Sequence, residues 1–167
     1  MRLFELFDKK VDWEWKKLNG MLAEATFHIG GLRYDVAIEQ DDPDYLLDAL
    51  SNTDHPEAPK WLTQMAEDYT QQLYNVAFSI NTSGTNVPKP EDVYGVSGTG
   101  NEYLVFATVM DIMKDFAKEF PVDWWTFSSK EKEPSRKKLY DRMASRFSGE
   151  VFVLDNVMGD KVYVAKA

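Results

Sequence analysis

The chain has no cysteine, which excludes disulfides and thiolate zinc sites and is compatible with a reducing cytoplasm. Histidine is nearly as scarce. His28 and His55 are the only two and lie far apart, so neither a zinc nor a nucleophile constellation is legible, and no metal site is expected. No apolar run approaches the roughly 20 residues of a membrane span, and the N-terminus lacks the apolar core of a signal peptide. The expectation is a protein with no membrane association that stays in the cell that made it. Positive charge is short too: 19 basic residues face 28 acidic ones, for a net charge of -9. Phosphate contacts need clustered Lys and Arg, so no direct nucleic-acid binding is expected. No glycine turn ends in the Lys-Ser/Thr of a nucleotide-triphosphate loop, and the scattered carboxylates define no glycosidase pair.

What is present points to a packed interior. Hydrophobic residues make up 44% and aromatics 14% of 167 residues, enough for one globular domain over residues 1–167 that hides roughly 70% of its unfolded surface. One basic island stands out against the acidic background: Lys130, Lys132, Arg136, Lys137, Lys138, Arg142 and Arg146.

Periodicity gives the element order. Trp13 and Trp15 are at strand spacing. Ala23, Ala25, Phe27 and Ile29 alternate with polar residues, and Leu32, Tyr34, Val36 and Ile38 resume the alternation after Gly30-Gly31, a β-hairpin signature because glycine supplies positive φ. Residues 42–70 read as a helical insertion and 73–81 as another strand. A short strand at Val93–Val96 completes an antiparallel meander of about four strands. Then come the turn Ser97–Asn101 and a helix from Glu102 to Phe120. Its apolar stripe Val105, Val109, Ile112, Met113, Phe116 and Phe120 is that of a helix lying on a sheet. Pro121 ends it. The strand Val122–Ser128 is nearly continuous in large apolar residues, as one covered on both faces would be. A helix beginning at Pro134 runs through Leu139, Tyr140, Met143 and Phe147, and a hairpin around Met158-Gly159-Asp160 closes the chain. The fold class is α+β: a mixed central sheet of antiparallel meander, βαβα unit and C-terminal hairpin, with helices on both faces.

With Gly98-Thr99-Gly100 opening the main helix and Leu139-Tyr140-Asp141-Arg142-Met143 in the last, this order resembles the GNAT superfamily of N-acetyltransferases. The resemblance implies a GNAT-like fold in which the amides of Ser97, Gly98, Thr99, Gly100 and Asn101 bind the pyrophosphate of acetyl-CoA. Unpaired N–H groups and the helix dipole favour an anion there. It places Arg136 or Lys132 near the nucleotide phosphates and Tyr140 as general acid, with Glu24, Glu39 or His28 as base on the meander. The chain departs from the family pattern at Gly95, where the family has Gln or Arg, and at Glu133 and Arg136, where it often has Asn and Ala.

A second stretch combines Gly98-Thr99-Gly100-Asn101, Val105-Phe106-Ala107-Thr108-Val109, Phe127-Ser128-Ser129 and Pro134-Ser135-Arg136-Lys137-Lys138-Leu139-Tyr140-Asp141-Arg142. It is similar to small proteins of tailed bacteriophages. That resemblance implies a phage-encoded GNAT-fold protein without intact acetyltransferase motifs, acting by contact with a phage or host protein, in the host cytoplasm or the virion. Trp13, Trp15, Trp61, Trp124, Trp125 and the acidic surface would supply its interface. The alternative is an acetyl-CoA-dependent N-acyltransferase.

Overall fold

The hairpin at Gly30-Gly31 starts the architecture. Both glycines have positive φ, 58° and 80°, and the turn joins β2 (Leu22–Ile29) to β3 (Leu32–Gln40) in antiparallel register from Leu22↔Glu39 to Ile29↔Leu32. The structure is a computed structural model that describes residues 10–51, 60–81, 102–130, 140–142, 144–145, 150–157 and 159–167. β1 (Trp13–Lys17) pairs antiparallel with β2, and β4 (Leu73–Ile80) pairs antiparallel with β3. Between β3 and β4 the chain makes α1 (Asp44–Ser51) and α2 (Lys60–Glu67), inside the helical insertion read from sequence.

After β4 come α3 (Glu102–Glu119), β5 (Trp124–Lys130), a helical segment at residues 140–145, and the hairpin of β6 (Val151–Val157) and β7 (Asp160–Lys166). Pro121 follows α3 and could not have continued its hydrogen bonding. The seven strands form one sheet in the order β1-β2-β3-β4-β5-β7-β6. Among the described strands only the β4–β5 pair is parallel. The parallel partner of β5 is therefore β4, which both ends the meander and opens the crossover. The strand read at Val93–Val96 lies outside the described residues.

The two faces carry separate apolar layers. On the first, Val105, Val109, Ile112, Met113 and Phe116 of α3 pack on the inward residues of β2, β3 and β4, together with Trp125, Phe127 and Tyr163. On the second, Leu46 of α1 and Leu62, Met65 and Ala66 of α2 pack on Leu73, Trp124, Leu154, Val162 and Val164. β5 is thus covered on both sides, as its apolar run requires.

The tryptophans pack within or against these layers. Trp124 and Trp125 are buried, and Trp61 stacks on Trp124 at 5.0 Å between ring centroids. Trp13 and Trp15 pack against the first layer. Their indole N–H groups donate to Asp111 at 2.9 Å and Asp115 at 3.0 Å, tying β1 to α3. Large apolar rings with one polar edge are satisfied this way, at the rim of a core.

Candidate functional site

The ladder between β4 and β5 is short. It pairs Leu73, Tyr74 and Asn75 with Trp124, Trp125 and Thr126 and stops there. Beyond that point β4 follows β3 as far as Ile80↔Tyr34, while β5 follows β7 as far as Lys130↔Asp160. The two strands diverge into a wedge.

Backbone alternation says what the wedge presents. Asn81 donates to Arg33 and Asp41 to Leu73, so the odd-numbered residues of β4 bond to β3 and the N–H and C=O groups of Val76, Phe78 and Ile80 point toward β5. The bond from Ala167 to Asp123 sets the same phase on the other side: Ser128 and Lys130 direct theirs toward β4. Where the ladder ends, the Asn75 side-chain amide donates to the Thr126 carbonyl at 3.4 Å. No strand pairing joins these two edges among the described residues.

Tyr140 stands at the wedge on the α3 face. Its side chain is 1% exposed. Its ring lies 5.9 Å from Phe78 of β4, 5.7 Å from Phe127 of β5 and 5.6 Å from Tyr163 of β7, so it bridges the two diverging strands. The sequence singled it out as a general acid; the geometry also makes it a core residue. One residue further along the helical segment, Asp141 accepts a 2.7 Å bond from the Tyr163 hydroxyl.

On the opposite face an open cleft of about 490 Å³ is lined by Glu39, Gln40, Asp41, Asp42, Tyr45, Asn75, Ser128, Val157, Asp160 and Val162. At its centre is Asp41, half-buried just past the end of β3. Its Oδ2 accepts bonds from the Tyr45 hydroxyl at 2.9 Å and the Thr126 hydroxyl at 3.1 Å, and its Oδ1 accepts one from the Asp42 N–H at 3.0 Å. Burial pushes the Asp41 carboxyl above its ordinary range despite these donors, with the negative charge of Asp42 adding to the effect. The same burial, and the charge of Asp41, push the Tyr45 phenol up. No basic residue is among the described lining residues.

The other candidates scatter. Ser97, Gly98, Thr99, Gly100, Asn101 and Arg136 lie outside the described residues, as do Lys132, Lys137, Lys138 and Arg146 of the basic island. Arg142 is described: it donates to the Tyr103 hydroxyl at 3.1 Å and lies 5.3 Å from that ring's centroid. Glu24, His28 and Glu39 are all exposed. Glu39 reaches the acidic cleft, whereas Glu24 lines a separate groove of about 380 Å³ with Lys16, Arg33 and Asp35. Asp41, Tyr45 and Thr126 were not read as site residues. Asp41-Asp42-Pro43 looks like a helix start, and nothing local links it to a threonine 85 positions away. Among the described residues no group of His, Asp and Glu is arranged to hold a metal ion, and no helix is long and apolar enough to cross a membrane.

No protein-family model matches the chain, and no curated protein does. Among solved structures, FeeM, an N-acyl amino acid synthase from uncultured soil microbes, is similar over 86% of this chain and 71% of its own, at 14% identity and a TM-score of 0.40. A likeness that distant transfers nothing about activity.

Proposed function

We propose that this protein is an N-acyltransferase that takes its acyl group from acetyl-CoA or another acyl-CoA. The observation that carries the reading is the β4–β5 ladder that ends after three residue pairs. A gap between two strands suits an extended ligand bearing its own amides, because such a ligand can make ladder-type bonds to the strands on either side. The pantetheine arm of coenzyme A is a ligand of that kind. Val76, Ile80 and Ser128 would hold it, with Ser97–Asn101 and Arg136 at the phosphates as the GNAT resemblance implies.

The acceptor amine attacks the thioester carbonyl carbon. The C–N bond forms, the C–S bond breaks with its electron pair on sulfur, and the Tyr140 hydroxyl gives the thiolate its proton. The ammonium proton of the acceptor leaves to a base or to water.

The contact role, with a phage or host protein as partner, has the phage resemblance behind it; Trp124 and Trp125 are buried, while Trp13, Trp15 and Trp61 keep part of their surface exposed. Titration with coenzyme A or acetyl-CoA, followed by calorimetry or melting temperature, separates the readings. Ligand at 100 times its dissociation constant stabilises by about 2.7 kcal/mol. No shift at millimolar coenzyme A would end the acyltransferase reading.

A further inference from the structure

We propose that the acidic cleft under α1 receives the acyl acceptor, a small primary amine carrying a second positive charge, and that Asp41 takes the proton of its reacting ammonium. The inference rests on the acyltransferase reading for the reaction, and on the cleft alone for the ligand's charge.

Three observations meet here. First, position: Asn75, in the last pair of the β4–β5 ladder, and Ser128, on the β5 edge just past that pair, both line the cleft, so the cleft adjoins the gap on the face opposite Tyr140. An acceptor in the cleft and a proton donor at Tyr140 then lie on opposite sides of the same bond-making centre, as amine attack and thiolate departure require. Second, chemistry: Asp41 is held by Tyr45 and Thr126, which fix its orientation. A carboxyl kept where burial disfavours its charge weakens the fold at neutral pH, and a better proton acceptor is what it gains. Third, charge: among the described residues, the titratable groups that line the cleft with Asp41 are Glu39 from β3, Asp42 from the loop, Tyr45 from α1 and Asp160 from β7. One carboxylate suffices to take a proton. The remaining ones suit a ligand whose second charge stays positive throughout the reaction, and they repel an amino acid's carboxylate.

In balance, one ammonium proton goes to Asp41 and on to solvent through the open cleft; the freed amine forms the new C–N bond as the C–S bond breaks, Tyr140 protonates the departing thiolate, and the second proton shed by the acylated nitrogen restores the Tyr140 phenol by way of solvent.

The test uses the full chain. Without coenzyme A, calorimetric titration compares 1,4-diaminobutane, butylamine and 4-aminobutyrate. The diamine is expected to bind best and the zwitterion worst, and Glu39→Gln and Asp160→Asn each to weaken the diamine by about three-fold, the scale of one exposed charge pair. Equal binding of all three, or no effect of either substitution, overturns the cleft assignment. With acetyl-CoA, Asp41→Asn is expected to lower transfer to the diamine by about 100-fold and to remove the rise of rate with pH through the Asp41 titration. An unchanged pH profile in that variant overturns the proton-acceptor role. If Asp41→Asn fails to fold, the Glu39 and Asp160 substitutions still decide the ligand class. Diamine binding without any coenzyme A binding sinks the acyltransferase reading and upholds the cationic cleft; coenzyme A binding without charge discrimination does the reverse.

Discussion

Replacing Tyr140 separates its two roles. Its ring touches Phe78, Phe127 and Tyr163 with centroid distances of 5.9, 5.7 and 5.6 Å and is 1% exposed. Truncation to alanine removes a fully buried aromatic, a change that costs about 3–5 kcal/mol. The three ring pairs, at about 0.5–1.5 kcal/mol each, account for much of that. Against a domain stability of about 5–15 kcal/mol, Tyr140→Ala is expected to be folded but weak. Tyr140→Phe keeps every ring contact and loses only the hydroxyl, for about 1 kcal/mol. If that hydroxyl protonates the leaving thiolate, Tyr140→Phe lowers kcat by about 100-fold while the denaturation midpoint falls by much less than in Tyr140→Ala. The assay pairs urea unfolding with initial rates of thiol release from acetyl-CoA. A phenylalanine variant at full rate refutes the acid, and an alanine variant losing under 1 kcal/mol would refute the packing.

Thr126→Val should cost about 1–3 kcal/mol in urea unfolding, because the fully buried Thr126 hydroxyl donates to Asp41 and accepts from Asn75 at 3.2 Å, and valine removes one hydrogen bond from each of those partners. Trp13→Phe and Asp111→Asn should each cost about 1 kcal/mol, and less than additively together since they share the 2.9 Å bond between β1 and α3; full additivity in a double-mutant cycle would show that the bond contributes nothing. Stability against pH should show two opposite trends. The folded carboxyl of Asp41 sits above its ordinary 3.8, so its contribution is complete below that value and is lost as pH rises through the folded value. Burial pushes Asp111 up, but the bonds from Lys10 and Trp13 outweigh it and leave the carboxyl lowered; its contribution is present above 3.8 and lost as pH falls through the lowered value. Urea midpoints from pH 2.5 to 7 should therefore show a shallower acid-side fall in Asp111→Asn, where other lowered carboxyls such as Asp35 still contribute, and a shallower neutral-side fall in Asp41→Asn.

The fold was legible where the pattern is local. Alternation on both sides of Gly30-Gly31, the stripe on α3 and the apolar run of β5 each report a burial environment within a few residues of themselves. The observed elements fall within two residues of those readings, as with β5 at Trp124–Lys130. The site was not legible in the same way. Where β4 and β5 part is decided by their other partners, β3 and β7, and no residue type marks the point. Asp41 meets Thr126 only because the sheet closes an 85-residue separation. Tyr140 was found through a motif resemblance, and its contacts with Phe78 and Tyr163 come from strands that no spacing connects to it.

The position of the wedge follows from how the two apolar layers divide. Leu73 and Trp124 belong to the layer under α1 and α2, whereas Tyr74, Val76, Phe78, Trp125 and Phe127 belong to the layer under α3. Strand alternation forces that split, and the three-pair ladder is where the two layers are stitched backbone to backbone across β4 and β5. Further along, each strand is held by its outer neighbour and by its own layer, so the gap between them is not maintained at the expense of the core. On the acyltransferase reading, substitutions at Thr126 and Tyr140, one on each face of the sheet where the ladder ends, are expected to bear on stability and function together, because both side chains are buried in the packing that holds β4 and β5.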